Sequence, residues 1–207
     1  MNITIILLDY LRHDHTGTVK RVNLNNAGYQ FDLVTVDRKG VSAAINEGIH
    51  QATDSVVTMA NDILMPDNWL RDMVHYATHI PDSGMVGMHT VEGLPSSSEV
   101  NGLKIWECCP FGNVLITKQT IDKVGYFNIN LDPYSVNDRD YYLRCNLAGL
   151  RCYYIPGKCE HIGHDVGEQT EYRKMKDESL NNLWRKGEQW YEYYKNTGNI
   201  YLGYEQR

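Results

Sequence analysis

The sequence predicts an α/β fold in which a mostly parallel central sheet is flanked by helices. Residues 3–8 form an unbroken apolar, β-favouring run, as expected for a central parallel strand that is covered on both faces. Residues 41–52 repeat apolar side chains along one helical face, and the short β-favouring run of residues 56–59 follows them. A helix followed by a strand in this way indicates an αβ unit of a parallel sheet.

The other predicted elements extend this alternation along the chain. Strands are predicted over residues 31–36, 85–89, 111–117 and 151–155, and helices over 18–26, 68–79, 118–124 and 137–148. Residues 93–102 are rich in Gly, Pro and Ser, which predicts a loop and suggests a mobile lid over residues 93–104. We expect Pro156-Gly157 to end the last strand and residues 168–195 to form one or two helices across the sheet edge.

Composition narrows the class of protein. A chain of 207 residues suits one large domain, or one domain with an appendage. Its five cysteines are an odd number without a C-x-x-C pair, which predicts reduced thiols and a cytoplasmic protein. The first residues lack a basic leader, and no apolar run approaches the roughly 20 residues that span a bilayer. The formal net charge of -6 argues against a nucleic-acid partner.

Acidic side chains recur where predicted strands end. Asp9, Asp37 and Asp62 each follow a strand, and Asn61 precedes the last of them. Ligands of open α/β sheets bind beyond the carboxyl ends of the strands, so this placement predicts a site. The alternative for Asp62 is an ordinary turn-capping role. The absence of a G-x-G-x-x-G motif and of a P-loop argues against the commonest dinucleotide-binding and NTPase sites.

A second candidate site lies in the predicted helix 137–148. Asp138 and Asp140 fall in its first turn, where the helix dipole favours negative charge. A capping role is therefore the alternative to a catalytic one for both acids.

Short motifs occur in a characteristic order between residues 3 and 164. They are Leu8-Asp9-Tyr10-Leu11-Arg12 after the first strand, Ala43-Ala44-Ile45-Asn46-Glu47-Gly48-Ile49, Ala60-Asn61-Asp62 with Pro66-Asp67-Asn68-Trp69-Leu70, the segment 112–127, Asn137-Asp138-Arg139-Asp140 with Arg144 and Gly149, and Pro156 with His161. In this order the chain resembles the family 2 glycosyltransferases of the GT-A (Rossmann-like) fold. The resemblance implies a catalytic domain over residues 1–167 and a helical C-terminal extension, 168–207, packed on the same domain.

The resemblance also implies an activity and its residues. A sugar would move from a nucleotide-sugar donor, with a UDP-sugar favoured, to a hydroxyl group of a glycan or another acceptor, with inversion. Asp138 matches the general base. Asp62 and His161, with His164 as the second choice, would hold Mn²⁺ or Mg²⁺ against the departing diphosphate. Asp9, Tyr10, Asp37, Asn46 and Asn61 would bind the donor.

Three departures from the family pattern keep other functions open. Ala60 stands where the first acid of D-x-D is usual, Asn137 replaces the usual Glu, and the chain before Val41 is about one βα unit short. These departures suggest a non-catalytic nucleotide-sugar or glycan-binding protein as the alternative, although Asp138 and His161 are retained. A nucleotidyltransferase is a further alternative, but residues 8–16 lack a basic Gly-rich phosphate loop.

Overall fold

The computed structural model describes residues 1–9, 16–90, 94–134, 136–162 and 171–204 of the chain. Tyr10 and His164 lie outside these ranges. The elements in chain order are β1 (Ile3–Leu8), α1 (Thr16–Asn25), β2 (Asp32–Val36), α2 (Val41–Gln51), β3 (Ser55–Met59), β4 (Ile63–Leu64), α3 (Trp69–His79), β5 (Ser83–His89), β6 (Ser98–Val100), β7 (Leu103–Glu107), β8 (Val114–Ile116), α4 (Lys118–Val124), a 3₁₀ turn (Ile129–Leu131), α5 (Asn137–Leu147), β9 (Arg151–Lys158), β10 (Glu160–His161) and α6 (Glu171–Thr197).

The central sheet has eight strands in the order β2-β1-β3-β8-β5-β9-β7-β6. β1 pairs in parallel with β2 and β3, and β5 pairs in parallel with β9. β8 runs antiparallel between β3 and β5, and β7 runs antiparallel between β9 and β6. In the described chain, β7 and β8 are therefore the strands of this sheet that oppose the common direction. The predicted α/β class, with a mostly parallel sheet flanked by helices, is confirmed.

Both faces of the sheet are covered by apolar packing. Successive strand residues point to opposite faces, so Ile5 joins the core beneath α3 whereas Ile6 joins the core beneath α2 and α5. Both side chains are completely buried. The close approach of α2 requires a glycine, because a Cβ at Gly48 would lie 2.5 Å from Cγ2 of Ile6. This double burial explains why β1 is apolar at consecutive positions.

The predicted end of β9 is wrong, because the strand continues through Pro156 and Gly157 to Lys158. Met88 pairs with Ile155, but the next pair joins His89 to Lys158. The two intervening residues therefore form an irregularity in the strand pairing. Proline has no backbone N–H, and at this irregularity no regular ladder hydrogen bond is lost.

The predicted loop over residues 93–102 is wrong in its second half. β6 and β7 form a hairpin at the sheet edge, in which Val100 pairs with Leu103. Asn101 and Gly102 connect them with φ values of 52° and 77°. Positive φ at both residues of a two-residue Asn-Gly turn is the signature of a type I′ hairpin. Residues 94–104 do not line the cavity at the carboxyl ends of β1, β2 and β3, and the mobile lid over 93–104 stays a prediction.

The C-terminal segment forms one long helix, α6. It packs mainly against α5 and the 3₁₀ turn rather than across the sheet edge as predicted. None of the helices within the described ranges combines the length and the apolar character needed to cross a membrane.

Candidate active site

A cavity of about 400 Å³ opens at the carboxyl ends of β1, β2 and β3. Leu8 and Val36 stand at the ends of the first two strands, and the turn after β3 contributes residues 60–63. The opposite wall comes from the turn before β8, from α5, from β10 and from α6. Its residues include Phe111, Gly112, Asp138, His161, Met175 and Lys176. The cavity therefore lies where ligands of open α/β sheets bind.

The floor of the cavity is fixed by two hydrogen bonds between neighbouring turns. The backbone N–H of Ala60 donates to Oδ1 of Asn113 at 2.8 Å. The Thr58 hydroxyl donates to the carbonyl oxygen of Gly112 at 3.2 Å. Gly112 has a φ of 81°, and a Cβ there would lie 2.4 Å from Cδ1 of Ile63. A glycine is thus required for the turn before β8 to press against the turn that carries Asp62.

Asp62 and His161 are brought together by the small sheet of β4 and β10. His161 pairs with Ile63, and the backbone N–H of Ile162 donates to the carbonyl oxygen of Asp62 at 2.8 Å. This pairing places Nε2 of His161 3.4 Å from Oδ2 of Asp62. Both side chains line the cavity. The predicted proximity of these two residues is therefore present in the structure.

The Asp62–His161 pair can hold one divalent ion. Metal–oxygen and metal–nitrogen bonds of about 2.1 Å allow one ion to bridge two atoms up to about 4.2 Å apart. The described part of the chain contains no group of three or more His, Cys, Asp or Glu side chains arranged to bind a metal. Asp62 and His161 would therefore offer an ion two protein ligands, which is typical of ions that are also held by substrate phosphates and water.

Asp138 faces the cavity from the first turn of α5. Its carboxylate makes no hydrogen bond and no ion pair with any described residue. Burial raises the pKa of Asp138 to about 6, because a charged carboxylate is poorly solvated there. Asp138 stands in the first turn of α5, where the helix dipole favours negative charge, but the N-cap residue, Val136, makes no side-chain cap hydrogen bond. Asp138 is therefore an acid without a structural partner in the described chain.

Two other polar residues at the start of α5, Asp140 and Asn137, make hydrogen bonds that hold the fold together. Asp140 is buried and accepts hydrogen bonds from Nε of Arg144 at 3.0 Å and from the Tyr194 hydroxyl at 3.2 Å. Asn137, in the position of the usual Glu, is also buried and donates to Oγ of Ser42 at 2.5 Å. Asn137 thus ties α5 to α2.

Comparison with known proteins gives a match in structure. No protein-family model and no curated protein sequence matches the chain. Among solved structures, the crystal structure of S. aureus TarS matches with a TM-score of 0.59 and 14% sequence identity, over 79% of this chain and 37% of the TarS chain. This chain thus spans little more than a third of TarS. The likeness concerns the fold.

The chain has a glycosyltransferase-like fold. Its mostly parallel sheet with flanking helices agrees with the GT-A, Rossmann-like class that the motifs predict. The cavity described above lies at the edge of the sheet where that resemblance places the donor site.

The predicted donor-binding residues differ in their position relative to the cavity. Asn61 lines the cavity next to Asp62. Asp9 and Asp37 stand at the ends of β1 and β2 but do not line it. Asn46 is buried, and its amide group is bonded to the backbone oxygen and nitrogen of Phe127 at 2.9 and 2.7 Å. Asn46 therefore joins α2 to the segment after α4, and it does not line the cavity.

Several cavity residues were not predicted from the sequence. They are Arg38, Thr90, Phe111, Gly112, Tyr134, Met175 and Lys176. Two of these residues could have been predicted from the sequence. Arg38 lies just after the end of β2, and Gly112 is the first glycine of the motif segment 112–127. Met175 and Lys176 could not, because they reach the cavity only through the packing of α6.

Proposed function

We propose that the chain is an inverting, metal-assisted glycosyltransferase of the hexosyltransferase type. Its donor would be a nucleotide sugar, with a UDP-sugar favoured by the motif resemblance, and its acceptor a hydroxyl group of a glycan or another molecule. The glycosyltransferase-like fold supports glycosyl transfer in general. The observation that carries the proposal further is that Asp138, which has no hydrogen-bond or ion-pair partner among the described residues, lines the same cavity as the Asp62–His161 pair.

Asp138 is proposed as the general base. A pKa of about 6 leaves the carboxylate ionised at neutral pH, yet makes it a stronger proton acceptor than an ordinary aspartate. Because no described side chain is hydrogen-bonded or ion-paired to the carboxylate, it is available to accept a hydrogen bond from an acceptor hydroxyl. A base in this role contributes about 10²- to 10⁴-fold to the rate. Direct attack by the activated hydroxyl would invert the anomeric carbon.

Asp62 and His161 are proposed to hold the divalent ion. When bound, Mn²⁺ or Mg²⁺ would act as a Lewis acid on the departing diphosphate. An imidazole ligand beside a carboxylate favours Mn²⁺ over Mg²⁺, because Mg²⁺ prefers oxygen alone. Asp62 and His161 would be the two protein ligands of the ion, and Ala60 stands where a second carboxylate of a D-x-D motif would lie.

The donor class is tested by thermal shift with UDP-, GDP-, dTDP- and CMP-sugars, each with and without Mn²⁺. A ligand at 100 times its Kd stabilises the fold by about 2.7 kcal/mol. For a chain of this size, 1 kcal/mol corresponds to about 2–4 °C in Tm. We expect one nucleotide class to raise Tm by several degrees, and only with Mn²⁺. An unchanged Tm with every donor and Mn²⁺ would refute the proposed function.

A non-catalytic nucleotide-sugar-binding protein is the second candidate, because Ala60 replaces one expected acid. An assay with the donor that the thermal-shift panel selects distinguishes an enzyme from a binding protein. An enzyme should release the nucleoside diphosphate when hydroxyl acceptors are supplied, and NMR of the product should show the anomeric configuration opposite to that of the donor. A binding protein should show the Tm shift without release.

A further inference from the structure

The N-terminal part of α6 contributes a basic side chain to the cavity. Lys176 lines it beside Tyr134, and its ammonium nitrogen lies 4.7 Å from the centre of the Tyr134 ring. Cations are attracted to aromatic faces at such distances. Lys176 forms no ion pair with the described residues. Its charge is therefore held against the Tyr134 ring and is not paired within the described chain.

The other charged groups of the cavity do not offer an equivalent cation. Arg38 is paired with Glu47, with 3.3 Å between NH1 and Oε2. Asp62 and Asp138 are acidic, and His161 faces Asp62. A nucleoside diphosphate gains negative charge as the sugar leaves it, so a cation at this site would be most useful during that step. Among the basic side chains Arg38 and Lys176, Lys176 is the one that has no ion-pair partner in the described chain.

The position of α6 is set by close contacts with α5, the helix that carries Asp138. Gly187 approaches the chain just before α5 so closely that a Cβ would lie 2.4 Å from Cγ2 of Val136. Glu188 forms an ion pair with Arg139 at 2.8 Å. The Tyr194 hydroxyl donates to the buried Asp140. These contacts join the helix of Lys176 to the helix of the proposed base.

We propose that Lys176 binds the diphosphate of the nucleotide-sugar donor, so that α6 forms part of the active site rather than a separate appendage. This inference rests on the proposed function. It names a contact between the Lys176 ammonium group and phosphate oxygens, and it requires no contact with the nucleoside.

Isothermal titration of the full chain with UDP, UMP and uridine, all with Mn²⁺, tests the proposal. If the donor panel selects another base, the matching nucleotides replace these. A charge-assisted hydrogen bond corresponds to about a 10- to 100-fold change in Kd. Lys176→Ala should weaken UDP binding by this factor and UMP binding by less, with uridine binding unchanged. Lys176→Arg should retain most of the UDP affinity.

Lys174→Ala is the matched control. Lys174 carries the same charge on the same helix but lines the neighbouring cavity. If Lys176→Ala and Lys174→Ala weaken UDP to the same small extent, Lys176 makes no diphosphate contact, although UDP binding by the unaltered chain would leave the proposed function intact. Equal loss of UDP and uridine would also overturn the proposal. Failure of the unaltered chain to bind any nucleoside diphosphate would contradict both proposals.

Discussion

Asp140 and Arg144 form a completely buried ion pair one turn apart on α5, with 3.0 Å between Oδ2 and Nε. The guanidinium group also donates to the backbone oxygens of Val124 and Tyr126 at 2.7 and 2.9 Å. The Asp140 carboxylate is thus held by structural contacts. Asp138, two residues earlier, faces the cavity and has no hydrogen-bond partner among the described residues. One short acidic segment therefore contains a structural carboxylate and a candidate catalytic one.

Asp140→Ala should strongly destabilise the protein. Removing one partner of a buried pair leaves an uncompensated charge and costs about 3–5 kcal/mol in the free energy of unfolding. Asp122→Ala is the matched control, since Asp122 forms an exposed i,i+4 pair with Lys118 and exposed pairs contribute about 0–1 kcal/mol. Urea unfolding of both variants measures the difference. Similar small losses would show that the Asp140–Arg144 pair does not stabilise the fold.

Asp138→Asn should stabilise the protein in a pH-dependent way. Burial raises the pKa of this carboxyl group from 3.8 to about 6 in the folded state. The group therefore supports folding while protonated, and this support is lost as the pH rises through that interval. Asparagine cannot ionise. We expect the Tm of the variant to equal that of the parent near about pH 4 and to exceed it near about pH 7.5. A Tm difference that is the same at both pH values would contradict the burial of an ionised Asp138.

Gly187→Ala should displace α6 despite the better helix propensity of alanine, which is worth about 1 kcal/mol. The added Cβ would meet Cγ2 of Val136 at 2.4 Å. We expect a lower Tm and weaker UDP binding, measured by thermal unfolding and calorimetry.

A second substitution makes this test specific. Val136→Ala removes Cγ2, and the next atom, Cβ of Val136, lies 3.8 Å from the position that the new methyl group would take. In that background Gly187→Ala should stabilise rather than destabilise the protein. The same sign in both backgrounds would mean that Gly187 and Val136 do not limit the approach of α6.

Asp62→Ala and His161→Ala should each abolish the dependence of nucleotide binding on Mn²⁺. The two side chains lie 3.4 Å apart and are the proposed ligands of the ion. The measurement is the Tm shift caused by UDP with and without Mn²⁺, and EDTA should reproduce the variants' behaviour. His75→Ala, on the exposed face of α3, is the control and should retain the shift. A shift with Mn²⁺ that survives in both site variants would place the ion elsewhere.

Much of the fold was predictable because its signals are local. The apolar run of β1 and the bounds of α4 are reproduced by the structure. The hairpin of β6 and β7 is not predicted, although Asn101-Gly102 is a strong turn signal, because the surrounding Pro and Ser residues suggest a loop. Pro156 suggests a strand end, whereas it lies at an irregularity between paired residues.

The candidate site was predictable only in part. The family order of motifs placed Asp62 and His161 together, but the pairing of β4 with β10 that joins them was not predicted. Asn46 also belongs to a family motif, but its amide is satisfied by Phe127. Lys176 lies outside all of the sequence motifs described above. It reaches the cavity because Gly187 lets α6 approach Val136, and such tertiary contacts leave no pattern in a single sequence.

Comparing turnover with donor affinity in Asp138→Asn tests whether Asp138 is the base of a glycosyl transfer. The amide keeps the size of the side chain and removes its ability to accept a proton. If Asp138 is the base, turnover should fall by roughly 10²- to 10⁴-fold, with donor Kd changed by no more than a few-fold. Near-normal turnover by the folded variant would contradict this role.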